Sequence, residues 1–163
     1  MPGWICSARM TNSAQMAGVG DVAASHHAAI SRSQAVASGL DPSTLTYELQ
    51  RSTLRPLAPR VYGIHGAPET WHQRAMAATL TANHAAVLSH RSAARLHGLD
   101  GFSSDLIEVT VPHGRRVRIH GVIVHQSAMP DDHWLEVDGI PCTSLARTIV
   151  DLPQVVSERR VER

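Results

Sequence analysis

The 163 residues carry 15 basic and 14 acidic side chains, with 43% apolar and 18% charged residues. This is enough chain for one medium domain or two small ones with an ordinary core, and the balance excludes a polycation or a charge-driven disordered chain. No apolar stretch approaches the roughly 18–20 residues of a membrane span, and Cys6 and Cys142 form neither a disulfide framework nor a CxxC pair, so the chain reads as cytoplasmic.

Residues 1–18 are rich in Ser, Ala, Met and Gly, with no apolar run behind a basic start. They read as a disordered leader and not as a signal peptide. Helical spacing of Val22, Ala23 and His26 predicts a first helix from Val19 to Ala29. Ser31 and Gln34 then form a capping box, Gly39 suits a helix C′ position, and Asp41-Pro42 opens the next helix as N-cap and first residue. Two helices joined by a tight turn are the signature of a helix-turn-helix. The second should run to Arg51 with Leu45 and Leu49 inward. Around Pro56 and Pro59 the chain cannot be helical, and Val61, Tyr62 and Ile64 favour strand. The order predicts a winged helix-turn-helix over residues 19–66.

Residues 67–152 read as a small α+β domain with a short antiparallel sheet. A helix begins at Trp71, with Trp71, Ala75 and Ala78 on one face, and Ala85–Leu88 is a short buried strand. Ser89 caps a further helix that Gly98 ends. Period-two alternation marks strands at Ile107–Val111, Val122–His125 and Leu135–Val137, with His113-Gly114-Arg115-Arg116 as the turn between the first two. Ser144–Leu152 is a last amphipathic helix, and residues 153–163 look like the start of a truncated one. The overall expectation is α+β, winged helix first.

Several segments together resemble the N-terminal part of the AbiEi family, antitoxins of type IV toxin–antitoxin (abortive infection) systems. They are Ile30–Ala35, Arg60-Val61-Tyr62, Leu88–Ala94, His97-Gly98-Leu99, Ile107–Pro112, Val137–Pro141 and Thr143–Thr148. The resemblance covers roughly Val22 to Leu152. It implies a winged helix that binds duplex DNA at its own promoter, an antitoxin region behind it, and a nucleotidyltransferase-like toxin encoded nearby. Relatives often continue into a domain resembling very-short-patch-repair nucleases. They usually carry Gly where this chain has Arg60, and more Arg where it has Glu48.

The candidate DNA face is Arg32, Ser43, Thr44, Thr46, Tyr47, Gln50, Arg51, Arg55 and Arg60. Thr and Gln read base edges, and Arg holds phosphates. On this reading Glu48 faces the phosphates unfavourably. A palindromic operator would be met by a homodimer. Arg115, Arg116 and Arg118, on a hairpin tip beside His113 and His120, form a possible second basic contact. No metal or other cofactor is expected: there is no HExxH, and His90 and His97, near His84, show no carboxylate partner. Ser89 reads as a helix cap and not as a nucleophile beside His90. Asp151 lacks the further acids and the Lys of a nuclease set. The expectation is therefore a regulator and not an enzyme. The alternative is a non-catalytic remnant or interaction module of a nuclease-fused protein.

Overall fold

The computed structural model describes residues 12–82 and 85–156 of the chain. The protein is α+β, built on two sheets. The first unit runs α1 (Asn12–Ser25), β1 (Ala29–Ser31), α2 (Arg32–Ala37), α3 (Pro42–Gln50), β2 (Leu54–Ala58), β3 (Val61–Ile64). Its three strands are antiparallel in the order β1-β3-β2, so β1 closes against the hairpin. That is the arrangement of a winged helix-turn-helix.

The caps form as the sequence predicts. Ser31 Oγ accepts the Gln34 N–H at 3.2 Å, and Gln34 Oε1 accepts the Ser31 N–H at 2.9 Å. Gly39 takes φ 95°, and Asp41 caps α3 through the N–H groups of Ser43 and Thr44. Val19, Ala23, Ile30, Ala35, Leu40, Leu45 and Leu54 form the core of this unit.

The first helix differs from its expected bounds at both ends. It begins at Asn12, so residues 12–18 belong to the fold and not to a leader. Met16 packs on the core, and a Cβ at Gly18 would lie 3.0 Å from Ser38 O, which lets α1 approach the end of α2 closely. Residues 1–11 lie outside the described residues. The helix ends at Ser25 because His27 and Ala28 take φ 52° and 61°. Ala29–Ser31, expected partly as helix, become a fully buried strand paired with β3.

The second unit comprises α4 (Trp71–Thr81), β4 (Val87–Leu88), α5 (His90–Leu96), β5 (Ile107–Val111), β6 (Val122–Gln126), β7 (Trp134–Val137), β8 (Ile140–Thr143) and α6 (Leu145–Asp151). Its sheet runs β6-β5-β4-β8-β7. It is mixed where short antiparallel pairing was expected: β4–β5 and β7–β8 are antiparallel, but β5–β6 and β4–β8 are parallel. Residues 112–121 are therefore a crossover and not a hairpin tip. The turn at Gly114 does form, with φ 83° and Arg115 N–H on Pro112 O. The chain then returns extended, because Val117 and Ile119 pack on the core while Arg116 and Arg118 stay exposed. Beyond α6, Leu152–Gln154 form a 3-10 turn where the start of a helix was expected, and residues 157–163 lie outside the described residues. No helix among the described residues is long and apolar enough to cross a membrane.

One helix joins the units. Thr70 caps α4 through the Gln73 N–H, and α4 contacts all three strands of the first sheet as well as β4, β5 and β8 of the second. Ala29 and Val61 from the first unit share one hydrophobic cluster with Ala75, Ala78, Leu88, Val109 and Ile140. The buried Gln73 amide accepts from Arg55 Nη2 at 2.9 Å and reaches Ala28 O at 3.4 Å. A second tie is the tight β7–β8 turn, where Asp138 and Gly139 both have positive φ and Asp138 O meets His27 Nε2 at 2.8 Å.

Two predictions follow from this packing. Ala75 is fully buried between the sheets, so Ala75→Phe should cost roughly 1–3 kcal/mol through overpacking. Far-UV circular dichroism and Trp fluorescence should then shift together; a transition confined to one unit would contradict the shared core. Arg60 closes the two-residue wing turn behind Pro59 at φ 63°, a left-handed conformation where Gly is favoured. Arg60→Gly should leave thermal stability equal or slightly higher, whereas Arg60→Val should lower it by about 1–2 kcal/mol.

Candidate functional site

The outer surface of α3 is set by what its inner surface buries. Leu45 and Glu48 are buried and Leu49 is half-buried, which turns Thr46, Tyr47 and Gln50 to solvent with Arg51 just beyond the helix. Glu48 thus points inward, three residues from Leu45, and does not face an incoming phosphate. The exposed residues are not equally available. Ser43 Oγ and Thr44 Oγ1 both donate to the Asp41 carboxylate, and Thr46 Oγ1 donates to Pro42 O. The Ser43 hydroxyl, followed by the backbone N–H groups of Thr44 and Ser43, pulls the Asp41 pKa down to about 2.

An anion therefore already occupies the first turn of α3, satisfying the N–H groups that would otherwise attract a phosphate. The polar side chains left uncommitted by that turn lie further along, at Tyr47, Gln50 and Arg51. Arg51 Nη1 donates to Tyr47 Oη at 2.8 Å, and its guanidinium lies 5.5 Å from the ring centroid. This orders a long cation against an aromatic face.

The remaining arginines of the predicted face divide. Arg32 and Arg60 come together at the open end of the wing: both are exposed, and Arg32 N–H donates to Arg60 O at 2.8 Å. With Ser31, Ser33 and Val36 they line an open groove of about 750 Å³. Arg55 is committed elsewhere. Its guanidinium pairs with Glu69 Oε1 at 2.5 Å and with Gln73 Oε1, bracing the hairpin on α4. Arg115, Arg116 and Arg118 are exposed, but along the extended crossover. Gln126 Nε2 holds that segment by donating to Arg115 O.

A second polar site lies on the opposite face of the five-stranded sheet, and sequence reasoning missed it. In the parallel β5–β6 pair, Thr110 sits opposite His125 and Glu108 two residues back on the same face. The helix α5 covers that face. Glu108 is fully buried on a central strand, its Oε1 accepting from Arg91 Nε. The His90 ring stacks on His125 with centroids 3.8 Å apart and planes at 26°.

Ser89 takes the N-cap position of α5, but its hydroxyl bonds His90 Nδ1 at 2.9 Å and makes no backbone cap, contrary to the capping role expected of it. His90 itself has φ 51°. Burial, reinforced by the neighbouring His125, holds the His90 pKa below the usual imidazole value. Beside this group, Arg147 grips the buried Asp151 through Nε and also reaches Ser127 Oγ and His133 Nδ1. Asp151 is thus an ion-pair partner within the fold. His97 contacts Thr143 O, and His84 lies outside the described residues. Cys142 is buried nearby, and burial pushes its thiol up to about 11, which keeps it unreactive.

No family model matches the chain, and no curated protein matches it. Among solved structures, the crystal structure of the RV2827C protein from Mycobacterium tuberculosis is similar, with a TM-score of 0.54 at 16% identity over 86% of this chain. This chain spans 59% of the length of that protein. The likeness is one of fold.

Proposed function

We propose that this chain is a DNA-binding transcriptional regulator with AbiEi-type antitoxin ancestry, acting in the cytoplasm on its own promoter region. The observation that carries the reading is the solvent face of α3. Leu45 and Glu48 are held inside, and Tyr47, Gln50 and Arg51 form an ordered polar ridge in a helix-turn-helix. Arg32 and Arg60, adjacent at the wing turn, supply phosphate contacts beside it. The chemistry asked of these residues is recognition alone, and the reading assigns them no catalysis. A nucleotidyltransferase-like toxin is the functional partner that this reading implies, and a homodimer is the form that would meet a palindrome.

One observation favours a second reading, as a protein-interaction module. Leu145, Ile149 and Val150 are exposed on α6, with Val150 at 69%. Apolar exposure on that scale suits a protein partner.

Fluorescence anisotropy with the gene's upstream duplex, against a scrambled duplex at two salt concentrations, separates the two. Arg60→Gly and Arg32→Ala should weaken binding to both duplexes and reduce the salt slope by about one unit per lost contact. Gln50→Ala should cost roughly 1–3 kcal/mol on the preferred duplex only. Arg55→Ala should act chiefly on thermal stability, because its partners are Glu69 and Gln73. Equal, weak affinity for both duplexes in the parent and in all of these variants would overturn the DNA-binding reading in favour of the interaction module.

A further inference from the structure

The buried polar group beneath α5 contains more ligand capacity than the fold uses. His90 Nε2, Glu108 Oε2 and His125 Nε2 are each shielded from solvent and lack a hydrogen-bond partner. His125 Nε2 lies 3.4 Å from Glu108 Oε2 without the geometry of a hydrogen bond. One ligand atom from each of the three residues falls within 4.8 Å of the others. A carboxylate with 0% exposure and a histidine with 3% are costly places to leave such atoms unsatisfied.

Meanwhile the other donor atoms of two of these side chains are taken. His90 Nδ1 is held by Ser89 Oγ, and Glu108 Oε1 by the Arg91 guanidinium. Such outer contacts orient an imidazole and a carboxylate so that the remaining atom points at a metal. The left-handed backbone of His90 adds to this, since strained φ values concentrate where a side chain must be aimed.

We propose that His90, Glu108 and His125 form a binding site for one divalent transition-metal ion of the zinc class. Two imidazoles and one carboxylate match the borderline-soft preference of Zn2+, and three protein ligands leave a fourth tetrahedral position open. Bonds of about 2.0–2.1 Å require ligand atoms roughly 3.3 Å apart, so the side chains close inward by up to about 1.5 Å on binding. Oxygen-seeking Mg2+ and Ca2+ fit poorly, because the site offers one carboxylate oxygen and two nitrogens. His125, on an edge strand and partly exposed, gives the ion its way in.

The test is isothermal titration of the full-length chain, freed of metal by a chelator, with ZnCl2 alone, followed by the visible d–d spectrum of the Co2+ form. The expected result is one equivalent bound, undisturbed by excess Mg2+, with a tetrahedral Co2+ spectrum. His125→Asn should weaken that binding by at least about tenfold. Ser89→Ala, which removes only the hydrogen bond to His90, should weaken it by about 10–100-fold.

The double variant His113→Ala/His120→Ala, on the exposed crossover, should bind as the parent does. Because Glu108→Gln also breaks the Arg91 pair, it is read only alongside an unchanged far-UV spectrum, and His125→Asn carries the decision. Absence of stoichiometric binding would overturn the site and leave the trio as an ion-paired structural cluster. So would binding unaffected by His125→Asn, or binding lost in the crossover variant.

Discussion

The shared helix α4 is the constraint on which the rest of the structure depends. Two sheets can lie against opposite sides of one helix only where its side chains are small, and Ala75, Ala77 and Ala78 supply that between Trp71 and Leu80. With so little side-chain volume, each sheet comes close to the helix backbone, and the second unit's core takes in Ala29 and Val61 of the first. Polar ties then fix the relative placement. Gln73 spans Arg55 and Ala28 O, and His27 reaches the β7–β8 turn. An amide as buried as Gln73 tolerates few alternative arrangements, because each displacement strands a donor or acceptor.

This packing also explains where the two candidate sites lie. The apolar face of the second sheet, with Val109 and Val111 on β5, belongs to the core shared with α4. The alternate residues Glu108 and Thr110 are forced to the other face, which α5 covers. A polar pocket results wherever a strand with alternating pattern is buried on both faces. The solvent face of α3 arises by the same logic in reverse: no described element covers it, so Tyr47 and Gln50 remain in water.

Local chemistry was legible in the sequence. Ser31 with Gln34, Asp41-Pro42 and Gly39 each act within four residues, and the structure realises all of them. The features that were not legible depend on distant pairing. Three residues, Ala29–Ser31, show no period of their own and become strand only because β3 lies beside them. Gly114 marks a true turn, but only the packing of Val117 and Ile119 tells a crossover from a hairpin. Leu45 with Leu49 and Leu45 with Glu48 are both helix-compatible spacings, so the register of the buried face was undetermined. The alternation in β5 marks a strand, but no local signal announces the helix that covers its polar face. His90, Glu108 and His125 come from three different elements, so no motif spacing could have joined them. The one available hint was a lone carboxylate inside a strand otherwise made of Ile, Val and Thr.

The bond from Arg32 N–H to Arg60 O has a mechanical consequence. It fastens the wing to the start of α2, and the wing turn itself is only Pro59-Arg60, too short and too restricted in φ to swing. In the proposed complex the spacing between helix and wing is thus preset, and the protein cannot widen its grip to suit the duplex. The adjustment falls to the nucleic acid. Sequences whose base steps bend or compress easily at the required groove width would be favoured even at positions that no side chain touches.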